Sequence, residues 1–172
     1  MSSRIFFLLL CLACGLAPLS AQNRIGSSGG IGSEAGSELT EQMDRLGIVY
    51  ETTDAGNVRI IYTLEDDRTH LVFVYGDTYT YEGVEVREIK ATAAGLASKK
   101  DYDQELLLDL MELNFDNKIG AWQLKVTEER SFLEFGLRIP VEVSDSDLKA
   151  YLELAGQKAD EMELKITEAD EF

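Results

Sequence analysis

Cysteine, histidine, proline and basic residues are all scarce in this 172-residue chain, and each shortage excludes a class of chemistry. The two cysteines, Cys11 and Cys14, stand near the start, and no thiol follows them. A thiol nucleophile, a redox pair and a disulfide-stapled core are therefore excluded from everything after Cys14. His70 is the single histidine, so neither an HExxH helix nor a multi-histidine metal site can be assembled. Lys and Arg number 16 against 32 Asp and Glu, for a net charge of −16 and a pI near 4.4. A field of that sign repels nucleic acid, because no counterion release rewards the contact. GxGxxG and GxxxxGK[ST] do not occur; Gly26-Ser27-Ser28-Gly29-Gly30 has the spacing of GxSxG, but it lies in the glycine- and serine-rich GSSGGIG stretch, which reads as linker and not as the strand-to-helix context of a nucleophile elbow or a phosphate loop.

Long apolar runs are equally rare. The one from Ile5 to Ala17 follows Arg4 and precedes the small residues Ser20 and Ala21. It falls short of the roughly 20 residues that span a bilayer as a helix. The pattern is that of a secretory signal peptide over residues 1–21, cut after Ala21. Lipidation at Cys14 is the rival reading: Leu12 and Ala13 suit a bacterial lipoprotein box, but Cys11 stands where that box takes leucine. The expected mature protein is periplasmic or secreted and begins at Gln22. It has no transmembrane segment and carries a charge of −17, because the leader removes Arg4 and no acid.

Residues 22–36 hold five glycines and three serines with almost nothing to bury, the composition of a flexible, disordered tether. The rest, 37–172, suffices for one domain with an ordinary core. Leu39, Met43 and Leu46 recur at helical spacing between a possible N-cap at Ser37 and a stop at Gly47. Strand-like alternation follows. It is weak over 48–53, then places Val58, Ile60, Tyr62 and Leu64 on one face, and continues through THLVFVYG (69–76) and an extended 77–91 with a break near Gly83.

From Asp101 to Asn114 the period becomes helical, with Leu106, Leu107, Leu110, Met111 and Leu113 on a wide apolar face expected to cover the sheet. A hairpin is expected over 121–126 and 131–139, with Leu133, Phe135, Leu137 and Ile139 inward and Pro140 closing the ladder. Ser144 and Asp147 form a capping-box-like start to a last helix, which Gly156 should weaken or interrupt. The fold class is α+β: an antiparallel sheet with helices on one face, in the order α-β-β-β-α-β-β-α.

This arrangement resembles the YbjN family, whose fold is shared with type III secretion chaperones. The likeness is carried by the Leu-rich helix running into LNFDN, the strand AWQLKV, the strand SFLEFGLRIPVEVS and the capped helix SDLKAYLELAGQKADEMEL, and more loosely by LGIVYETTDAGNVRIIYTL and THLVFV. The resemblance implies a small non-enzymatic module, of the kind grouped with sensory-transduction regulators, and it brings no catalytic residues. Export departs from the cytoplasmic habit of secretion chaperones, so chaperoning of type III effectors does not transfer.

Among candidate site residues, His70 is expected at a partly exposed strand edge, not as a catalytic base. Asp101, Asp103 and Glu105 imitate the start of a calcium loop, but Leu106 takes the glycine position of an EF-hand, so a helix start is the simpler reading. No cofactor or metal is expected, and Trp122 is assigned to the core. The acidic run from Asp160 through Glu163 to Glu171 is assigned to a solvated helix end and tail. Tyr75, Tyr79 and Tyr81, with Phe73, alternate along one strand face and are the candidate binding residues. The function expected is an exported, non-enzymatic binding module for an unidentified protein or peptide, recognised on a sheet face or strand edge, with a homodimer left open. The alternatives are a carboxylate-dependent hydrolase and an acidic binder of divalent cations.

Overall fold

The computed structural model describes residues 26–28, 34–64, 67–96 and 104–167. Its elements are β1 (Gly26–Ser28), α1 (Glu34–Leu46), β2 (Glu51–Thr52), β3 (Val58–Thr63), β4 (Thr69–Tyr81) and β5 (Val84–Leu96). They continue with α2 (Gln104–Asp116), β6 (Ala121–Val126), β7 (Ser131–Pro140) and α3 (Asp145–Thr167). The strands lie side by side in the order β2-β3-β4-β5-β7-β6, every pair antiparallel, and β1 joins β4 beyond the end of β3. The fold is α+β, with one face of the sheet covered by the helices.

Alternation decides which face that is. Val58 and Ile60, then Val72 and Val74, Ile89 and Ala91, and Leu133, Phe135, Leu137 and Ile139 all point into the core. α3 lies across β4, β5 and β7 and adds Leu148, Leu152, Ala155, Ala159 and Met162. α1 adds Leu39 and Met43. Trp122 is in the core as expected, its ring edge-on to Phe135 at 5.2 Å between centroids.

Several boundaries and one assignment differ from the sequence reading. Gly26–Ser28, inside the Gly/Ser-rich segment, forms β1, and α1 begins at Glu34, ahead of Ser37. Of 48–53 only Glu51–Thr52 is strand. β4 does not stop at Gly76 but runs to Tyr81, and the hairpin turn is Glu82-Gly83, both at positive φ as a two-residue turn requires. Gly76 marks a register shift between Val74 and Thr78, where the 54–57 turn presses on the strand: a Cβ there would lie 2.3 Å from the Gly56 oxygen. The Gly76 N–H donates to Asn57 Oδ1 at 3.1 Å, so the shifted backbone is satisfied locally.

The helix that covers the sheet is α3, not the Leu-rich α2. α2 lies beside β6 at the sheet margin and fully buries only Leu110, leaving Met111 and Leu113 exposed. α3 is 23 residues long, and its small residues let it approach closely; Gly156 does not interrupt it but faces Val72 and Tyr62. The Ser144 cap is present: its hydroxyl accepts the Asp147 N–H at 3.1 Å and donates to the Asp147 carboxylate at 2.7 Å. Among the described residues no helix is long and apolar enough to cross a membrane.

Candidate functional site

Two groups of side chains stand apart from the apolar core. The first is the sheet face turned away from the helices, which carries Tyr75, Tyr79 and Tyr81. The alternation of β4 puts all three on that face with Leu71 and Phe73, but the register shift between Val74 and Thr78 separates Tyr75 from the other two. Tyr79 stands opposite Val86 and Tyr81 opposite Val84. Tyr81 is 55% exposed and Val84 50%, with Ile61 on β3 at 66%. Tyr75 and Tyr79 are half-buried by their neighbours.

Tyr75 is already engaged. The Lys90 ammonium sits 4.8 Å from its ring centroid, a cation–π contact, and Lys90 bonds Glu88 at 2.8 Å while Arg138 reaches the same carboxylate at 3.0 Å. Burial pushes the Tyr75 phenol above its ordinary value, with Lys90 drawing it the other way. Burial alone would raise the Glu88 carboxyl, but the hydrogen bonds and charges of Lys90 and Arg138 outweigh it and hold the carboxyl low. The middle of this face is thus a charged ladder locked to an aromatic ring. Its accessible apolar residues are Ile61 on β3 and, at the projecting end of the β4–β5 hairpin, Tyr81 and Val84 beside the half-buried Tyr79.

The second group is a polar cluster under the sheet. His70 is fully buried on the core face of β4, and Glu163 is fully buried on α3. Arg68 joins them: its Nε donates to Asp160 at 2.7 Å and its terminal nitrogen to Glu163 at 3.3 Å. His70 Nδ1 lies 3.7 Å from Glu163, and Nε2 lies 2.9 Å from the Thr92 carbonyl. Asp160 also faces a cleft of about 630 Å³ between the end of β3 and α3, lined by Tyr62, Lys149, Glu153 and Gln157. Burial, and then the charge of Glu153, raises the Tyr62 phenol above its ordinary value.

His70, Asp160 and Glu163 offer ligand atoms within 4.8 Å of one another, a donor set suited to a divalent cation. The Arg68 guanidinium already bonds both carboxylates, however, and supplies the positive charge an ion would bring.

The sequence reading put His70 at a strand edge and Glu163 in a solvated acidic run; both are buried instead. Signals for this existed in the periodicities. Strict alternation places His70 with Val72 and Val74, and the α3 stripe through Leu148, Leu152, Ala155 and Ala159 continues to Glu163. The calcium-loop imitation falls partly outside the described residues, which exclude Asp101 and Asp103, while Glu105 lies in the first turn of α2. Comparison with protein-family models, curated protein sequences and solved structures returned no match.

Proposed function

We propose that the mature chain is an exported, non-enzymatic module of the YbjN type that binds a protein or an extended peptide at the β4–β5 hairpin. The observation that carries this reading is the apolar end of a sheet face that no helix covers among the described residues, formed by the exposed Tyr81 and Val84 beside the half-buried Tyr79. The strand edge beside it supports the same reading. β3 pairs with β4 only as far as Val74, and the edge beyond accepts a further strand, here Gly26–Ser28 in the register Gly26↔Thr80 to Ser28↔Thr78. Backbone pairing on such an edge supplies affinity, and aromatic side chains beside it supply selectivity. The negative charge of the chain favours a partner of opposite sign.

The test is capture from a cell-envelope extract, with the tagged mature chain compared against a Tyr79→Ser/Tyr81→Ser variant. One stoichiometric partner that resists high salt and is lost with the variant supports the reading. Capture of basic proteins alone, released by salt, rejects it, since screening removes only contacts made by charge.

A second reading, a divalent-cation binder, draws on the His70–Asp160–Glu163 donor set. Calorimetric titration with zinc and calcium separates the two. Stoichiometric binding abolished by His70→Gln favours the cation.

A further inference from the structure

α2 is apolar on two sides. Leu106, Leu107 and Leu110 face the protein, while Leu108, Met111 and Phe115, spaced three and four residues apart, form a ridge on the opposite side. The ridge is open: Leu108 is 55% exposed, Met111 70% and Phe115 84%. One apolar side of α2 packs on the protein, and among the described residues the other is left exposed. The ridge borders a shallow depression of about 440 Å³ between Leu108, Met111 and Phe115, edged by Glu112 and Asp116.

The helix is fixed in place. Asn114 Oδ1 accepts the Trp122 N–H at 2.6 Å and its Nδ2 donates to the Trp122 carbonyl at 3.1 Å, which ties α2 to β6. Lys165 of α3 bonds Asp109 at 3.2 Å. The ridge is therefore held as a preformed surface.

Charge selects the occupant. The segment Gln104–Asp116 contains four acids and no lysine or arginine. If a second copy packed its ridge on this one, Glu112 and Asp116 would meet their own counterparts, and two chains of net charge −16 would be pressed together. A cationic helix with apolar residues at the same spacing has complementary shape and sign. We propose that the α2 ridge is a docking surface for a basic amphipathic helix of a partner protein. It is separate from the tyrosine-bearing hairpin and stands whether or not that hairpin captures anything.

The probe is a synthetic amphipathic peptide with leucines at i, i+3, i+4 and i+7 and lysines elsewhere, titrated into the mature chain by calorimetry and circular dichroism. The expected result is one binding site with induced helicity. Affinity should fall by at least about tenfold in a Met111→Gln/Phe115→Gln variant whose melting temperature is unchanged, because two lost apolar anchors of this size are worth more than 1.4 kcal/mol. A version of the peptide with glutamate in place of lysine should not bind. Equal binding by a lysine peptide with serine in place of leucine would overturn the proposal, leaving charge alone as the cause. So would equal binding by the Gln variant. A peptide-free dimer in sedimentation that the Gln variant dissociates would also overturn it, because the ridge would then be covered by a second copy.

Discussion

His70 and Glu163 face each other inside the protein, Nδ1 3.7 Å from Oε2, with neither side chain exposed. On its other side the imidazole lies 2.9 Å from the Thr92 carbonyl, which can only accept a hydrogen bond. Nε2 must therefore carry a proton, and Nδ1 is turned to the carboxylate. Long-range nitrogen–proton NMR of the imidazole should report a protonated Nε2 at neutral pH. A neutral ring with its proton on Nδ1 alone would contradict the geometry.

The same cluster ties α3 to the sheet through Arg68, which spans Asp160 and Glu163. Removing the buried Glu163 carboxylate takes one of its two acidic partners from Arg68 and breaks the tie at that point, at a cost of about 3 kcal/mol. Urea unfolding of Glu163→Ala should show a loss of that order. Glu163→Leu combined with His70→Leu should lose less than the sum of its single substitutions, because contacting residues couple. A loss below about 1 kcal/mol for Glu163→Ala would mean that the carboxylate is not paired in solution.

Those two residues mark how far the sequence could be read. The strands around Val58, Val72, Ile89 and Leu133 were legible because each alternates cleanly and is half covered, and Ser144 announced its helix by the capping pattern. What escaped was tertiary. Nothing local tells whether a Leu-rich helix of 13 residues or a polar one of 23 will lie across the sheet; close approach at Gly156 decides for α3. The tyrosines were placed on one face correctly by alternation. The register shift that divides them, and the Lys90 contact that occupies Tyr75, depend on the 54–57 turn and on β5, far away in the chain.

Two glycines should respond oppositely to alanine. At Gly156 a Cβ would sit 3.5 Å from Val72 Cγ2, an ordinary contact, and the helix gains from the better helix former. Gly156→Ala is expected to stabilise by about 0.5–1 kcal/mol. At Gly76 the new Cβ would lie 2.3 Å from the Gly56 oxygen, so the turn must move. Gly76→Ala should cost about 1–3 kcal/mol, as overpacking does. Thermal melts of the two variants that shift in the same direction would contradict this account of β4.

The charged ladder on the open face predicts an acid-dependent term. Glu88 has its carboxyl held below its ordinary value of 4.5, burial being outweighed by Lys90 and Arg138. A group depressed in the folded state contributes stability that is present above the unfolded value and is lost as pH falls through the folded one. The stability difference between the wild type and Glu88→Gln should therefore be constant above about pH 5.5, on the order of 1 kcal/mol, and vanish in stronger acid. Lys90, raised from 10.5 because Glu88 outweighs burial, loses its contribution only as pH rises past that value and does not enter the acid limb. A difference that grows on acidification would reverse the assigned sign.

Asn114 is where α2 meets the sheet margin. Its carboxamide takes both backbone groups of Trp122, accepting at 2.6 Å and donating at 3.1 Å, so it satisfies the outer edge of β6 as a neighbouring strand would. Asn114→Ala removes both partners at once, and a half-buried edge left without them costs about 1–3 kcal/mol. The loss should be local. α2 is held otherwise by Leu110, its half-buried neighbours Leu106 and Leu107, and the exposed Lys165–Asp109 pair, whereas α3 is anchored in the central core. Hydrogen exchange in Asn114→Ala should accelerate in α2 and at Trp122 while α3 keeps its protection. Equal acceleration in both helices would mean that α2 and α3 unfold as one unit and that Asn114 is not the element holding α2 to the edge.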